Sequence, residues 1–519
     1  MINQFFSTSR FTTSSSLWLA TVALVLASFP ASLAQAQPAP EAAFAQVPTA
    51  EVYIQNENNR LRRDAAEISE MWEGMTALDE EKFDAYFTYY VFARMTQLDK
   101  LAQLEAMRVQ FLNQYLLKKL GTINQNEKEV AKVAYDHLVA LTLDTMQKIV
   151  NGNFHPAVRY NALLVIGRLD GSRPVIPLTV PQPSSAALEF MVGQLGEAGQ
   201  NDALRLAAWI GILRHVSLDR HNGLIDNTAK ERIRAHGVQL LGQREPPAGR
   251  NLEGHVWLQR RAIEVLGVLG ADPNKQGLNA IAPYIQDETS FMSLRLTAAR
   301  SLKYYCEDNQ TEIPTVSAAH SLGVLAVQAC QNEIARVEAA KKRKNDGQNY
   351  GNEGGGMEAG MEGMMEGMME EGGGMASMFE GGGGKTASKV PELKPAEASR
   401  VQLTRRRLKY QLFHVQQGLG TEGPKSDGLL AASDVQAKVE VQEVLRLVNE
   451  IMNMDELKEP ELHKTGTEKG KPRETVKLED IIKNVRRKAR DLEKYVTKAS
   501  KPAQPGEAPA EPADAPGSD

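Results

Sequence analysis

Disulfide frameworks, long apolar runs and a dominant charge are all missing from this 519-residue chain, and each absence narrows what it can be. Only two cysteines occur, Cys306 and Cys330, so stability has to come from packing rather than from cross-links. No apolar stretch reaches the roughly 18 residues that a spanning helix requires. Sixty basic residues against 65 acidic ones leave a net charge of −5, which gives the chain as a whole no case for nucleic-acid binding. HExxH and CxxC are absent, which removes the commonest zinc and thiol-redox signatures. Gly381 to Thr386 resembles a phosphate loop, but Phe379 stands where the first glycine belongs and no strand precedes it.

What is present begins with an export-like leader. Arg10 provides a positive start, Leu17 to Phe29 forms a short apolar run, and Ala34-Gln35-Ala36 fits a small-x-small cleavage site. Residues 1–36 are therefore expected to be a signal peptide. The mature chain is expected to be periplasmic or secreted, with no membrane span. Residues 37–50, rich in Ala and Pro, are expected to form a linker.

Helical periodicity follows. Ile54, Leu61, Ala65, Ile68, Met71, Trp72 and Met75 recur at helical intervals. Asp79 offers an N-cap, and from Phe83 an apolar stripe runs through Phe87, Tyr90, Met95, Leu104, Phe111 and Tyr115 to the terminator Gly121. Unbroken, that second helix would be about 60 Å long, so residues 51–121 predict an antiparallel helical hairpin. The aromatic group Phe83, Tyr86, Phe87, Tyr89, Tyr90 and Phe92 is expected to pack as core rather than to form a ligand box.

Downstream, one pattern returns four times. It reads Val158-Arg159, Ala162, Ile166 and Gly167; Leu204-Arg205, Ala208 and Ile212; Leu258-Gln259, Ala262, Leu266 and Gly267; and Leu294-Arg295, Ala298 and Leu302. A fixed internal spacing repeated along a chain is the mark of stacked helical pairs. The pairs expected are 156–169 with 185–195, 203–216 with 230–241, 253–269 with 275–285, and 291–305 with 315–340, punctuated by Pro246-Pro247, Gly270, Pro273 and Pro314. Neither helix of a pair can bury its apolar face alone, so stacking supplies the core. Arg159, Arg205 and Arg295 are expected to bracket neighbouring units by bonding carbonyls or acids, rather than to form a ridge for an acidic ligand.

Over about residues 125–340 these units resemble HEAT repeats, whose first helices carry an apolar-Arg-x-x-Ala-x-x-x-aliphatic-Gly pattern. The resemblance implies an all-α fold containing an α-solenoid of about four helix pairs across residues 122–344. It also implies a curved surface for protein partners rather than an activity. Gln259 replaces the arginine in the third unit, and Leu213 and Lys303 stand where Gly167 and Gly267 stand, which blurs the unit boundaries.

Beyond the basic cluster Lys341 to Lys344, residues 345–399 change abruptly to Gly, Met and Glu, a composition that predicts a disordered linker. Residues 400–499 resume as a helical C-terminal region, reached through that linker. Its last segment, Val476 to Val496, keeps Leu478, Ile481, Ile482, Val485, Ala489, Leu492 and Val496 at helical spacing, with Arg486, Arg487, Lys488 and Arg490 opposite. That basic face can dock an anionic partner or a membrane surface, although a solvated face is the plainer expectation. Residues 500–519, Pro/Ala/acidic, predict a disordered tail.

Two groups suggest metals. His215, Asp219 and His221 fall within seven residues, expected in a loop with no further ligand nearby. Met361, Met364, Met365, Met368 and Met369 are soft thioethers at spacings of three and four, which suit Cu(I). The interleaved Glu362, Glu366, Glu370 and Glu371 are hard ligands and weigh against it. Cys306 and Cys330 are expected to lie roughly 20 Å apart along antiparallel helices, which favours two buried thiols over a bridge. No catalytic constellation and no cofactor site emerge. The reading is a non-enzymatic exported scaffold that binds another protein, with a copper-handling protein as the alternative.

Overall fold

The computed structural model describes residues 44–55, 59–118, 125–172, 181–307, 313–345, 395–421, 427–458 and 476–499. The expected signal peptide, the Gly/Met/Glu stretch with its methionines and its phosphate-loop-like end, and the tail from residue 500 lie outside them. Among the described residues the chain is helical throughout, apart from one isolated antiparallel bridge between Asp170 and Pro183.

Residues 45–50 are tied down, contrary to the linker expected there. Val47 N–H donates to Thr96 Oγ1 at 2.9 Å, Gln97 Nε2 donates to Val47 O at 2.8 Å, and Ala45 N–H donates to Asn153 O at 2.7 Å. A single turn, α1 (Glu51–Ile54), leads to α2 (Arg60–Glu73), which ends on Gly74 in the left-handed region. Asp79 caps α3 (Glu80–Tyr86) through a 3.1 Å bond from Lys82 N–H.

The long straight helix expected next does not form. α3 widens into a π-helical turn at Phe87–Phe92, and the chain breaks at Thr96 and Gln97. It then resumes as a 3-10 turn, Leu98–Gln103, followed by α4 (Leu104–Phe111) and a second π-helical turn at Leu112–Leu116. The reason is aromatic packing. On a straight helix Phe87 and Phe111 would stand about 36 Å apart. Folding the segment back brings the Phe92 and Phe111 rings to 5.4 Å and the Phe87 and Tyr115 rings to 4.9 Å. Trp72 of α2 joins them, 6.1 Å from Tyr115. Burying this many rings in one cluster outweighs the hydrogen bonds lost at the break.

α5 (Gln125–Asn151) packs on α2 and starts a regular succession: α6 (Pro156–Ile166), α7 (Ser185–Gly196), α8 (Asp202–Asn222), α9 (Asn227–Gly242), α10 (Leu252–Leu269), α11 (Gln276–Gln286), α12 (Met292–Glu307) and α13 (Thr315–Asn345). The starts are written in the sequence. Side chains of His155, Ser184, Asn201, Asp226 and Asn251 each accept a backbone N–H of the first helical turn. First helices contact first helices in the order α6, α8, α10, α12, and second helices contact second helices in the order α7, α9, α11, α13. Small residues set the spacing. A Cβ on Gly167 would lie 2.8 Å from Gly211 Cα, so α6 and α8 touch backbone to backbone there.

The C-terminal helices α14 (Pro395–Leu419), α15 (Gly428–Ala432), α16 (Val435–Met452) and α17 (Leu478–Ala499) do not stand apart as the separate module expected from the linker. α14 packs along α12 and α13, while α16 and α17 cover α13. At the closest point a Cβ on Gly418 would meet the Ala299 carbonyl oxygen at 2.4 Å. Leu408, Leu412, Val415 and Leu419 are all fully buried against this surface. An apolar face of that size finds its cover on the open side of α12, and no second core is needed.

Candidate functional site

The four repeated positions share one geometry. Arg159 Nε donates to Val150 O at 2.6 Å, Arg205 Nη2 to Glu197 O at 3.0 Å, Gln259 Nε2 to Gln243 O at 2.7 Å, and Arg295 Nη2 to Ile285 O at 3.2 Å. Each acceptor is a carbonyl at the C-terminal end of the preceding helix, one of the groups that a helix end leaves without an internal partner. Gln259 is shorter than arginine but performs the same bond, and its amide also reaches Tyr284 Oη at 3.1 Å. The apolar members of the pattern, Val158, Ala162, Ile166, Leu204, Ala208, Ile212, Leu258, Ala262, Leu266, Leu294, Ala298 and Leu302, are all buried. These residues are committed to joining helices.

The aromatic group of the N-terminal part is core. Phe83, Tyr86, Phe87 and Phe92 are buried, while Tyr89 is exposed. His215 and Asp219 are not in a loop, because α8 continues to Asn222. His215 is fully buried and its Nδ1 lies 2.9 Å from Gly211 O. Asp219 pairs with Lys230 at 2.7 Å and accepts from Ile225 N–H at 2.7 Å. Both are thus structurally engaged, and the side chain of His221 lies outside the described residues. Among the described residues no group of three or more His, Cys, Asp or Glu converges as a metal site. Met361, Met364, Met365, Met368 and Met369 lie outside them. Cys306 and Cys330 are buried thiols, and burial pushes Cys330 up to about 12.

Burial acts in the opposite direction on histidine. His414 of α14 is 3% exposed, its ring 4.5 Å from that of Tyr410; desolvation, reinforced by Arg300 and Arg260, lowers its pKa to about 3. A folded pKa below the unfolded value means that the unfolded chain takes up the proton first as pH falls. The stability is complete above about pH 6.5 and is lost from there down toward the folded pKa. His414 alone should therefore remove about 2 kcal/mol between pH 7 and pH 5. Urea midpoints at the two pH values, for the wild type and for His414→Phe, check this. An equal acid loss in both would remove His414 as a source.

The surface feature that stands out is a groove of about 550 Å³ between α13 and α17. Val337 and Ile482 form its buried apolar floor. Its walls carry Lys341, Lys483, Arg486, Arg487, Arg490 and Lys494, against the acids Glu338, Glu479 and Asp491. Two of the bases are neutralised within the groove: Lys341 Nζ pairs with Glu479 at 2.9 Å and Arg486 pairs with Glu338. The Lys341 ammonium holds the Glu479 carboxyl below the usual carboxylate range. Lys488, on the neighbouring flank, pairs with Glu450. Lys483, Arg487, Arg490 and Lys494 are exposed and make no ion pair with a described residue.

Of the basic face expected from the sequence, Arg487 and Arg490 thus belong to the open stripe, while Arg486 and Lys488 are engaged in pairs. Lys483 and Lys494 complete the stripe at i, i+4, i+7 and i+11, a spacing visible in the sequence once the helix is placed. The contribution of Lys341 was not legible. It joins the groove only because α13 and α17 lie side by side, 138 residues from Glu479 along the chain. No described helix is long and apolar enough to cross a membrane.

No family model matches the chain, and no curated protein and no solved structure matches it either.

Proposed function

We propose that this chain is an exported, non-enzymatic scaffold. Its helices 156–345 form a HEAT-like α-solenoid that the C-terminal helices extend and cap, and its surface holds another protein. The observation that carries the reading is the repeated bond from Arg159, Arg205, Gln259 and Arg295 to the end of the preceding helix. Four equivalent joints support a repeated unit, and a stack of such units gives an extended surface without a central cavity. Buried polar residues of the helical stack also favour it: Gln259 and Arg295 are spent on helix ends and Asp219 on an ion pair.

The test is affinity capture on the full mature chain from the exported fraction of its host, with a charge-matched unrelated protein as control. Retention of one polypeptide at a fixed molar ratio to the scaffold, through washes at physiological salt, is the expected result. Recovery of nothing beyond the control, or turnover of a small molecule by the purified chain, overturns the reading.

A further inference from the structure

We infer that the groove between α13 and α17 is a docking site for an acidic helical segment of a partner protein. The inference rests on the scaffold reading and names the chemistry of the partner. Three observations lead to it. Lys483, Arg487, Arg490 and Lys494 stand in one line along α17 and have no carboxylate among the described residues. The line runs about 17 Å, with successive positions about 4.5–6 Å apart along the axis. A second helix laid along the groove, with carboxylates at the same i, i+4, i+7 and i+11 spacing, has the same rise and meets each base in register. The floor of Val337 and Ile482 gives such a helix an apolar contact, so its inward residues are small or aliphatic.

The other polyanions fit less well. A membrane is a plane, whereas these bases line a concavity with α13 as its opposite wall, so an anionic surface reaches only its rim. Nucleic acid would bring phosphates against Glu338, Glu479 and Asp491, and among the described residues no aromatic side chain lines the groove to stack a base. A peptide tolerates the mixed walls, because its own lysines or amides can face the acids. The two internal pairs, Lys341 with Glu479 and Arg486 with Glu338, keep the walls in place while the remaining four bases stay open to the partner.

The experiment uses the full mature chain and a fluorescein-labelled helical peptide bearing Glu at i, i+4, i+7 and i+11 on an Ala/Leu background, read by fluorescence anisotropy. The control peptide carries Gln at the same positions. The variants are Lys483→Glu/Arg487→Glu/Arg490→Glu/Lys494→Glu and the milder set with Gln at those positions, both checked by circular dichroism and urea midpoint. The expected result is saturable binding of the Glu peptide to the wild type. It weakens by about tenfold or more in the Gln set and is lost in the Glu set, with folding unchanged. Affinity should fall steeply with added salt.

Four results overturn the inference: no binding of the Glu peptide by the wild type; equal binding by the wild type and the Glu set; preferential retention of a single-stranded oligonucleotide or of vesicles of equal phosphatidylglycerol and phosphatidylcholine; or peptide binding only after the glutamates of residues 353–380 are replaced by Gln, which would assign the groove to the chain's own acidic stretch. The scaffold reading fails separately. If the protein captured from the exported fraction is retained equally by the wild type and the Glu set while the peptide is not bound, the groove inference falls and the scaffold stands. If nothing is captured, the scaffold falls and the peptide alone decides the groove.

Discussion

Arg214→Leu should destabilise the fold by about 3–5 kcal/mol, because it leaves the buried Asp170 carboxylate without its counter-ion. Arg214 Nη2 donates to Asp170 Oδ2 at 2.8 Å, and Nη1 lies 2.7 Å from Oδ1. The Asp170 side chain is 1% exposed, so water does not replace the lost partner. The pair joins the segment after α6 to α8, across 44 residues of sequence. Removing both members should cost much less than removing the arginine alone, since a buried ion pair replaced by apolar groups is close to neutral. Urea midpoints of Arg214→Leu, Asp170→Leu and the double variant give the coupling directly. If Arg214→Leu moved the midpoint no further than an exposed substitution does, the pair would not be holding α6 to α8.

Phe87→Ala should cost a similar amount, about 3–5 kcal/mol, through the loss of a large ring and the cavity left behind. Phe87 is fully buried and its ring lies within 4.7 Å of Phe83, 4.9 Å of Tyr115 and 5.5 Å of Tyr86. It sits at the start of the first π-helical turn, where the chain commits to folding back, so the damage should concentrate in residues 60–116. Hydrogen exchange measured across the chain should show these residues losing protection while α8 to α12 keep theirs. Tyr89→Ala, two positions away and 46% exposed, is the matched control and should stay within about 0.5 kcal/mol of the wild type. Equal effects at the two positions would mean that the aromatic cluster contributes little to stability.

The contrast between those two neighbours also marks how far the sequence could be read. The eight helices from 156 to 345 were legible nearly end to end, because their apolar positions recur at helical intervals and Asn, Asp, Ser and His stand at their starts. The purpose of Arg159, Arg205 and Arg295 was half legible: a repeated charged position suggested a bond between units. Only the fold identified the acceptor as the terminal carbonyl of the preceding helix. Residues 79–120 misled, since an unbroken apolar stripe reads as one straight helix whether its aromatic residues stay in line or gather. α8 ran further than its pattern suggested, and with it His215 and Asp219 moved from an expected loop into a helix.

The basic face of α17 divides the same way. Its amphipathic character was determined by the sequence, because the alternation of apolar and charged residues at helical spacing dictates which side is buried. Which of its bases stay open was decided by the tertiary structure, because Glu338 of α13 and Glu450 of α16 reach this face only through packing between helices. The standing of residues 400–499 was decided there as well. A long Gly-rich insertion looks like a tether between domains, yet the apolar face of α14 fits the open side of α12, where Gly418 lets the two backbones touch. Local sequence determines where helices begin, end and turn their apolar sides. Partners distant along the chain are selected by the fit of one buried surface against another, which no short stretch of sequence contains.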